Sequence, residues 1–89
     1  MMRLTWARLC ELCPAMNQHE VDARSFAANS DTRWYPAWLR TSSAFQRDTR
    51  QLAERDGWDV ERVRDVAEAH LRGVFMVVWQ ARGEGSLNH

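Results

Sequence analysis

Two cysteines and a histidine lie close together near the start of the sequence. Cys10 and Cys13 are separated by two residues, and His19 follows. Zinc prefers thiolate and imidazole ligands, but a structural zinc site needs four of them, and the chain has no second cysteine pair. A redox motif needs its cysteines at a helix N-terminus after a strand, whereas these fall inside a helical pattern. We therefore expect two reduced thiols on the packing side of a helix, with no metal ion and no cofactor.

A second set of residues that could take part in catalysis is Arg64-Asp65-x4-His70. The spacing resembles the Arg/His signature of HEPN ribonucleases, in which paired Arg and His residues act on RNA at a dimer interface. The resemblance implies that Arg64 stabilises a phosphate and that His70 transfers a proton. With twelve Arg and three His in the chain, such a spacing also arises by chance. We expect no RNA cleavage and no enzymatic activity, with His70 at the edge of the core.

Residues 49–68 resemble the helix-turn-helix of many bacterial and phage regulators. Ala53 lets two helices approach, and Gly57, four residues later, permits a left-handed turn. Apolar residues flank the turn and line the second helix: Leu52, Trp58, Val63 and Val66. Asp56 departs from the pattern, because the family usually has an apolar residue next to the glycine. The resemblance covers less than a quarter of the chain, and the alternative is two helices joined by a glycine turn.

The resemblance implies a dimer whose second helix enters the major groove of DNA. The exposed side of that helix would carry four charged residues: Asp59, Glu61, Arg62 and Asp65. Three of the four are acids, which phosphates repel, so we expect any DNA binding to be feeble and unselective. In this alternative the nucleic-acid-binding residues are Arg50, Arg55, Arg62 and Arg64.

Aromatic residues are the least ordinary feature of the chain, which contains five Trp. Three aromatic rings fall within residues 34–38, and polar stretches precede and follow them. We expect the rings to project from a short helical turn over residues 33–40, started by Pro36. Trp, Tyr and Arg dominate the hot spots of protein interfaces. The predicted partner-binding residues are therefore Arg33, Trp34, Tyr35, Trp38 and Arg40. The alternative is that the rings fill a small core.

Four helical segments are predicted to carry these residues. The first covers residues 3–13 and is stopped by Pro14. The second covers residues 18–28, with Asn17 and Glu20 as a capping box. A hydrophobic staple is expected to join the residues on either side of that cap, Met16 and Val21.

The third helix is predicted to begin at a capping box of Ser43 and Gln46 and to end at Gly57. The last helix begins at the N-cap Asp59, with Trp58 stapled to Val63, and is expected to be the spine of a compact bundle. Residues 74–79 have the composition of a strand as well as of a helix. We predict a helix, because a lone strand would have no partner.

Composition limits the range of functions. Twelve basic residues, all of them Arg, balance twelve acidic residues, so no long-range field draws the domain to nucleic acid or anionic lipid. No window is apolar enough to span a bilayer, and Arg8 and Glu11 interrupt the N-terminal stretch where a signal peptide would be apolar. We expect one all-α domain over residues 1–83, a flexible tail over residues 84–89, and a cytoplasmic location.

The leading functional hypothesis is a small non-enzymatic module that binds another protein or a second copy of itself, as a subunit, regulator or inhibitor. Small size alone suggests that a phage or mobile element encodes it. The alternative hypothesis is a dimeric helix-turn-helix regulator of transcription that binds DNA.

Overall fold

A computed structural model describes residues 3–29 and 39–87 of the chain, with side chains up to residue 82. Within those ranges the backbone forms four α-helices and no strand: α1 at Trp6–Leu12, α2 at Met16–Asn29, α3 at Ser43–Asp56 and α4 at Val60–Leu87. The predicted all-α bundle is confirmed, and residues 74–79 are helical. None of the helices in the described ranges has the length and apolar character needed to cross a bilayer.

The long helix α4 packs against each of the other three helices, which confirms it as the spine of the bundle. It continues to Leu87. The boundary at residue 83 and the flexibility of residues 84–89 stay predictions. The turn predicted at residues 33–40 lies outside the described residues except for its last two positions.

The first helix is shorter than the sequence indicated. Thr5 is the N-cap of α1, because its hydroxyl accepts from the Arg8 N–H at 3.2 Å. The helix ends at Leu12, and Cys13 is extended, as expected of a residue before proline. The predicted boundaries of 3–13 were therefore too wide.

The capping box predicted for the second helix was wrong. α2 begins at Met16, and the Asn17 side chain donates to the Pro14 carbonyl at 3.2 Å instead of capping the helix. Three successive i→i+3 bonds starting at Cys13 turn the chain directly into the helix. The predicted staple is also wrong, because Met16 is fully buried whereas Val21 is 57% exposed.

The predicted capping box at the start of α3 was wrong, whereas the predicted stop at its end was right. Ser42, not Ser43, is the N-cap of α3, and its hydroxyl accepts from the Phe45 N–H at 3.4 Å. Gln46 donates to the Arg40 carbonyl at 2.7 Å rather than closing a capping box. At the other end Gly57 has φ of 73°, which confirms the left-handed stop.

The predicted start of α4 is confirmed as well. The Asp59 carboxylate accepts from the Arg62 N–H at 3.1 Å, and the Asp59 carbonyl accepts from the Val63 N–H. Trp58 is half-buried against the core, and Val63 is fully buried, as a hydrophobic staple requires.

The core lies along the inner side of α4. Its fully buried large side chains come from every described helix: Leu9, Met16, Phe45, Leu52, Val63, Leu71 and Phe75. One buried polar pair joins α2 to α3, with His19 Nε2 2.7 Å from Asp48 Oδ2 and both residues at most 6% exposed. The pair satisfies two groups whose burial would otherwise be costly.

Candidate functional site: the groove beside α4

An open groove of about 450 Å³ runs beside α4, with α2 forming its other wall. Most of the lining is aliphatic or small, and the polar groups are one arginine and one histidine. The described lining residues are Arg24, Ala69, His70, Gly73, Val74, Val77 and Val78. We call these residues the α4 groove. Clefts of this size and lining are the usual form of binding sites in proteins.

The apolar lining follows from the composition of one stretch of α4. Residues 74–79 read Val-Phe-Met-Val-Val-Trp and contain no polar side chain, so two turns of helix are apolar on every side. Only Phe75 in this stretch is fully buried, whereas Val77 on the opposite side is 69% exposed. A helix that is apolar all round is normally buried on all sides. In this stretch Val77 is the exposed residue, and the four remaining residues are half-buried against the core.

Gly73 lies at the centre of the groove. A Cβ atom added at Gly73 would meet no other atom within 4 Å, so the packing of the chain around it does not require glycine. Glycine inside a helix costs roughly 0.5–1 kcal/mol relative to alanine. Because Gly73 has no side chain, the floor of the groove at this position is the backbone of α4.

A polar cluster adjoins the groove at His70, where α1, α2 and α4 meet. His70 Nε2 lies 2.5 Å from Glu20 Oε1, and the His70 ring stacks on Trp6 at 4.6 Å between centroids. The hydrogen bond from His70 lowers the pKa of Glu20. Burial raises this pKa and the charge of Arg24 lowers it, and the net result is a pKa below the usual value. Glu20 is therefore ionised and turned toward its own chain.

The cysteines lie near this cluster and form free thiols. Burial, and secondarily the charge of Glu20, raises the pKa of the Cys10 thiol, so this thiol is protonated and unreactive at neutral pH. Cys10, Cys13 and His19 do not converge, and across the described ranges no three His, Cys, Asp or Glu residues are arranged to hold a metal ion. The absence of a cofactor stays a prediction.

The structure does not bring together the two residues of the ribonuclease-like spacing. Arg64 is turned toward α3, where its Nε donates to Thr49 Oγ1 at 3.0 Å and its Nη2 to the Gln46 carbonyl at 3.2 Å. His70 is turned toward α1 and α2. Because their side chains contact different neighbouring helices, they do not form one site within a single chain.

The helix-turn-helix segment forms two packed helices around Gly57, with Ala53 only 3% exposed between them. Three of its four candidate phosphate-binding residues contact their own chain. Arg55 donates to the Leu12 carbonyl, and Arg64 is held by α3 as described. Arg50 is exposed, and Arg62 lies over the Trp58 ring at 6.0 Å.

The acidic side of α4 is occupied by Arg40, a predicted partner-binding residue. Arg40 contacts Glu68 at 2.7 Å, Asp65 at 2.6 Å and Glu61 at 3.4 Å. The hydrogen bonds that Arg40 donates to Glu68 and Asp65 raise the pKa of Arg40 above its ordinary value. Arg40 therefore anchors its own chain. The other four predicted partner-binding residues lie outside the described residues: Arg33, Trp34, Tyr35 and Trp38.

The sequence interpretation missed the α4 groove. Its signal was the apolar run at residues 74–79, which we considered only for its choice between helix and strand. Arg24, the lining residue from α2, could not be assigned to the groove from the neighbouring sequence, because its position there depends on how α2 packs against α4.

Comparison of the chain with known proteins identifies no relative. No protein-family model, no curated protein and no solved structure matches the chain.

Proposed function

We propose that this protein is a small non-enzymatic interaction module that binds another protein through the α4 groove. The observation that supports the proposal is the aliphatic lining of the groove, in which Val77 is 69% exposed. Contiguous apolar surface on a small domain marks interaction sites, because it is costly to leave in water. In this role the module acts as a subunit, regulator or inhibitor of its partner.

Two exposed valines provide a matched test of this proposal. Val77→Asp places a charge in the α4 groove, whereas Val21→Asp places the same charge on α2 at a similarly exposed position. Tagged wild type and both variants are used to capture partners from the native host, with bound proteins identified by mass spectrometry. We expect a partner that wild type and Val21→Asp retain and Val77→Asp loses, with unchanged helical circular dichroism. Equal retention by all three proteins would contradict the proposal.

The absence of enzymatic activity is part of the same proposal. It is supported by the separate orientations of Arg64 and His70, which give phosphate no common site on one chain. A cytoplasmic location is also part of the proposal, since two cysteines are too few for the disulfide framework of small secreted domains.

The alternative proposal is a dimeric helix-turn-helix regulator, supported by the packed helices around Gly57. Two observations favour the groove instead. Arg64 is held by α3, and the exposed acids Glu61 and Asp65 lie where a recognition helix would meet DNA. Mobility shifts on a random-sequence DNA library test the alternative, and selection of a palindromic site would establish it.

A further inference from the structure

We propose that the occupant of the α4 groove is a partner helix that presents an apolar side chain and, one turn away, a carboxylate. The inference rests on the proposed function and adds the chemistry of the partner. It combines the shape of the groove floor with the charge at its rim.

The floor of the groove suits the side of another helix. Ala69, Gly73 and Val77 follow one another at four-residue spacing and are all exposed. Side chains at that spacing form the ridges and grooves through which helices pack. With no side chain at Gly73, an apolar residue of the partner can rest on the backbone, between the side chains of Val77 and His70.

The rim of the groove is basic. Among the described lining residues Arg24 is the only one with a permanent charge, and its side chain is 61% exposed. One of its terminal nitrogens is 3.3 Å from Glu20, which leaves most of its five N–H donors for a partner. Glu20 itself is bound to His70 and does not line the groove. A carboxylate is the group that matches a partly exposed guanidinium fork.

The same charge distribution argues against a second copy of this chain as the occupant. A two-fold dimer places one surface against itself. The described lining of the groove holds no acid, and the Glu20 carboxylate beside Arg24 is bound to His70 of the same chain. Two facing copies would therefore bring two Arg24 side chains together without a carboxylate from across the interface for either. A different protein with an acidic residue resolves this mismatch.

A selection experiment tests the charge requirement directly. A phage-displayed library of random helical peptides is selected on immobilised wild-type protein and on three variants. Arg24→Glu reverses the charge at the rim, and Arg24→Gln removes it. Arg72→Glu is the control, because Arg72 is equally exposed at 60%, also pairs with a glutamate four residues earlier, and does not line the groove.

We expect peptides selected on wild type and on Arg72→Glu to carry Asp or Glu three or four residues from a large apolar residue. Selection on Arg24→Glu should yield Arg or Lys at that place, and selection on Arg24→Gln should lose the acidic preference without gaining a basic one. The best acidic peptide should bind Arg24→Glu at least about tenfold more weakly than wild type. Circular dichroism of each variant establishes that the helices are intact.

Three results would overturn the inference, and they differ in what they leave of the proposed function. Selected peptides without an acidic preference that are lost on Val77→Asp would leave the groove as an apolar binding site. A Val77-dependent dimer in sedimentation, with no peptide selected, would make a second copy the occupant. Peptides that bind Val77→Asp as well as wild type would remove the groove from both proposals.

Discussion

Within the 28 residues of α4, residues 60–72 carry charged side chains on the solvent side, whereas residues 73–79 carry none. In the first half Val63 and Leu71 are fully buried, and the outward Glu61 and Asp65 pair with Arg40. In the second half Phe75 is fully buried, but Val77 remains exposed. The difference shows that residues 60–72, the charged half of this comparison, are buried on one side and paired with their own chain on the other. Residues 73–79, the apolar half, are buried on the inner side but leave Val77 exposed on the outer side. Each prediction below tests this contrast.

The largest effect is expected at the inner side of the apolar half. Phe75→Ala removes a fully buried ring that packs near Phe26 and Trp79. We expect the free energy of unfolding in urea to fall by about 3–5 kcal/mol, the usual cost of emptying a phenylalanine site. Val77→Ala on the outer side should change it by less than about 0.5 kcal/mol. Similar losses for both variants would mean that the outer side is already packed.

The second prediction compares two glycines: Gly57, whose backbone conformation favours glycine, and Gly73, whose conformation does not. Gly73→Ala should raise the free energy of unfolding by roughly 0.5–1 kcal/mol, because the added methyl group meets no atom and alanine favours helix. Gly57→Ala should lower it by about 1–2 kcal/mol, because φ is 73° there. Thermal and urea melts measure both changes. Destabilisation by Gly73→Ala would show that something packs on the groove floor in the isolated protein.

A smaller effect is expected on the charged half. Arg40→Gln breaks contacts with three acids, but Arg40 is 36% exposed, and solvent screens such pairs. We expect a loss of less than about 1 kcal/mol, the usual range for surface ion pairs. The loss should shrink further between 0.05 and 0.5 M salt, roughly the range over which screening becomes strong. A loss that is larger and independent of salt would contradict this view of the cluster.

The smallest effect is expected at the boundary between the two halves. Because the hydrogen bond from His70 lowers the pKa of Glu20 in the folded protein, this carboxylate stabilises the fold above its ordinary pKa near 4.5. That contribution is lost as the pH falls through the lowered value. Melting temperatures measured from pH 7 to pH 3 should therefore fall more steeply for wild type than for Glu20→Gln. In a His70→Gln background the same Glu20→Gln change should make little difference.

Local signals were sufficient to predict the boundary between α3 and α4. Asp59 has the side chain of an N-cap, and Gly57 suits a left-handed turn, so each position could be assigned from neighbouring residues. The N-cap of α3 was misassigned by one residue, because Ser42 and Ser43 have the same hydroxyl. The choice between them depends on bringing Phe45 into the core, where it is fully buried. That requirement is set by tertiary packing.

The candidate site depended on contacts that sequence spacing does not reveal. The rim of the α4 groove needs Arg24 beside Gly73, and the polar cluster next to the groove needs Glu20 beside His70, 50 residues away. The buried pair of His19 and Asp48 likewise joins residues 29 positions apart. No periodicity within one helix specifies which helix lies next to it, so the apolar run was visible in the sequence and the groove was not.

The position of α4 in the chain also affects how the protein is made. α2 packs far more extensively against α4 than against α1, so most tertiary contacts of α2 are missing while only the first two helices have left the ribosome. Contacts such as Arg82 to the Ala27 carbonyl join residues 55 positions apart and form only after α4 has been translated. Folding must therefore follow synthesis of α4. Until then the nascent helices expose their apolar sides to chaperones and to neighbouring chains.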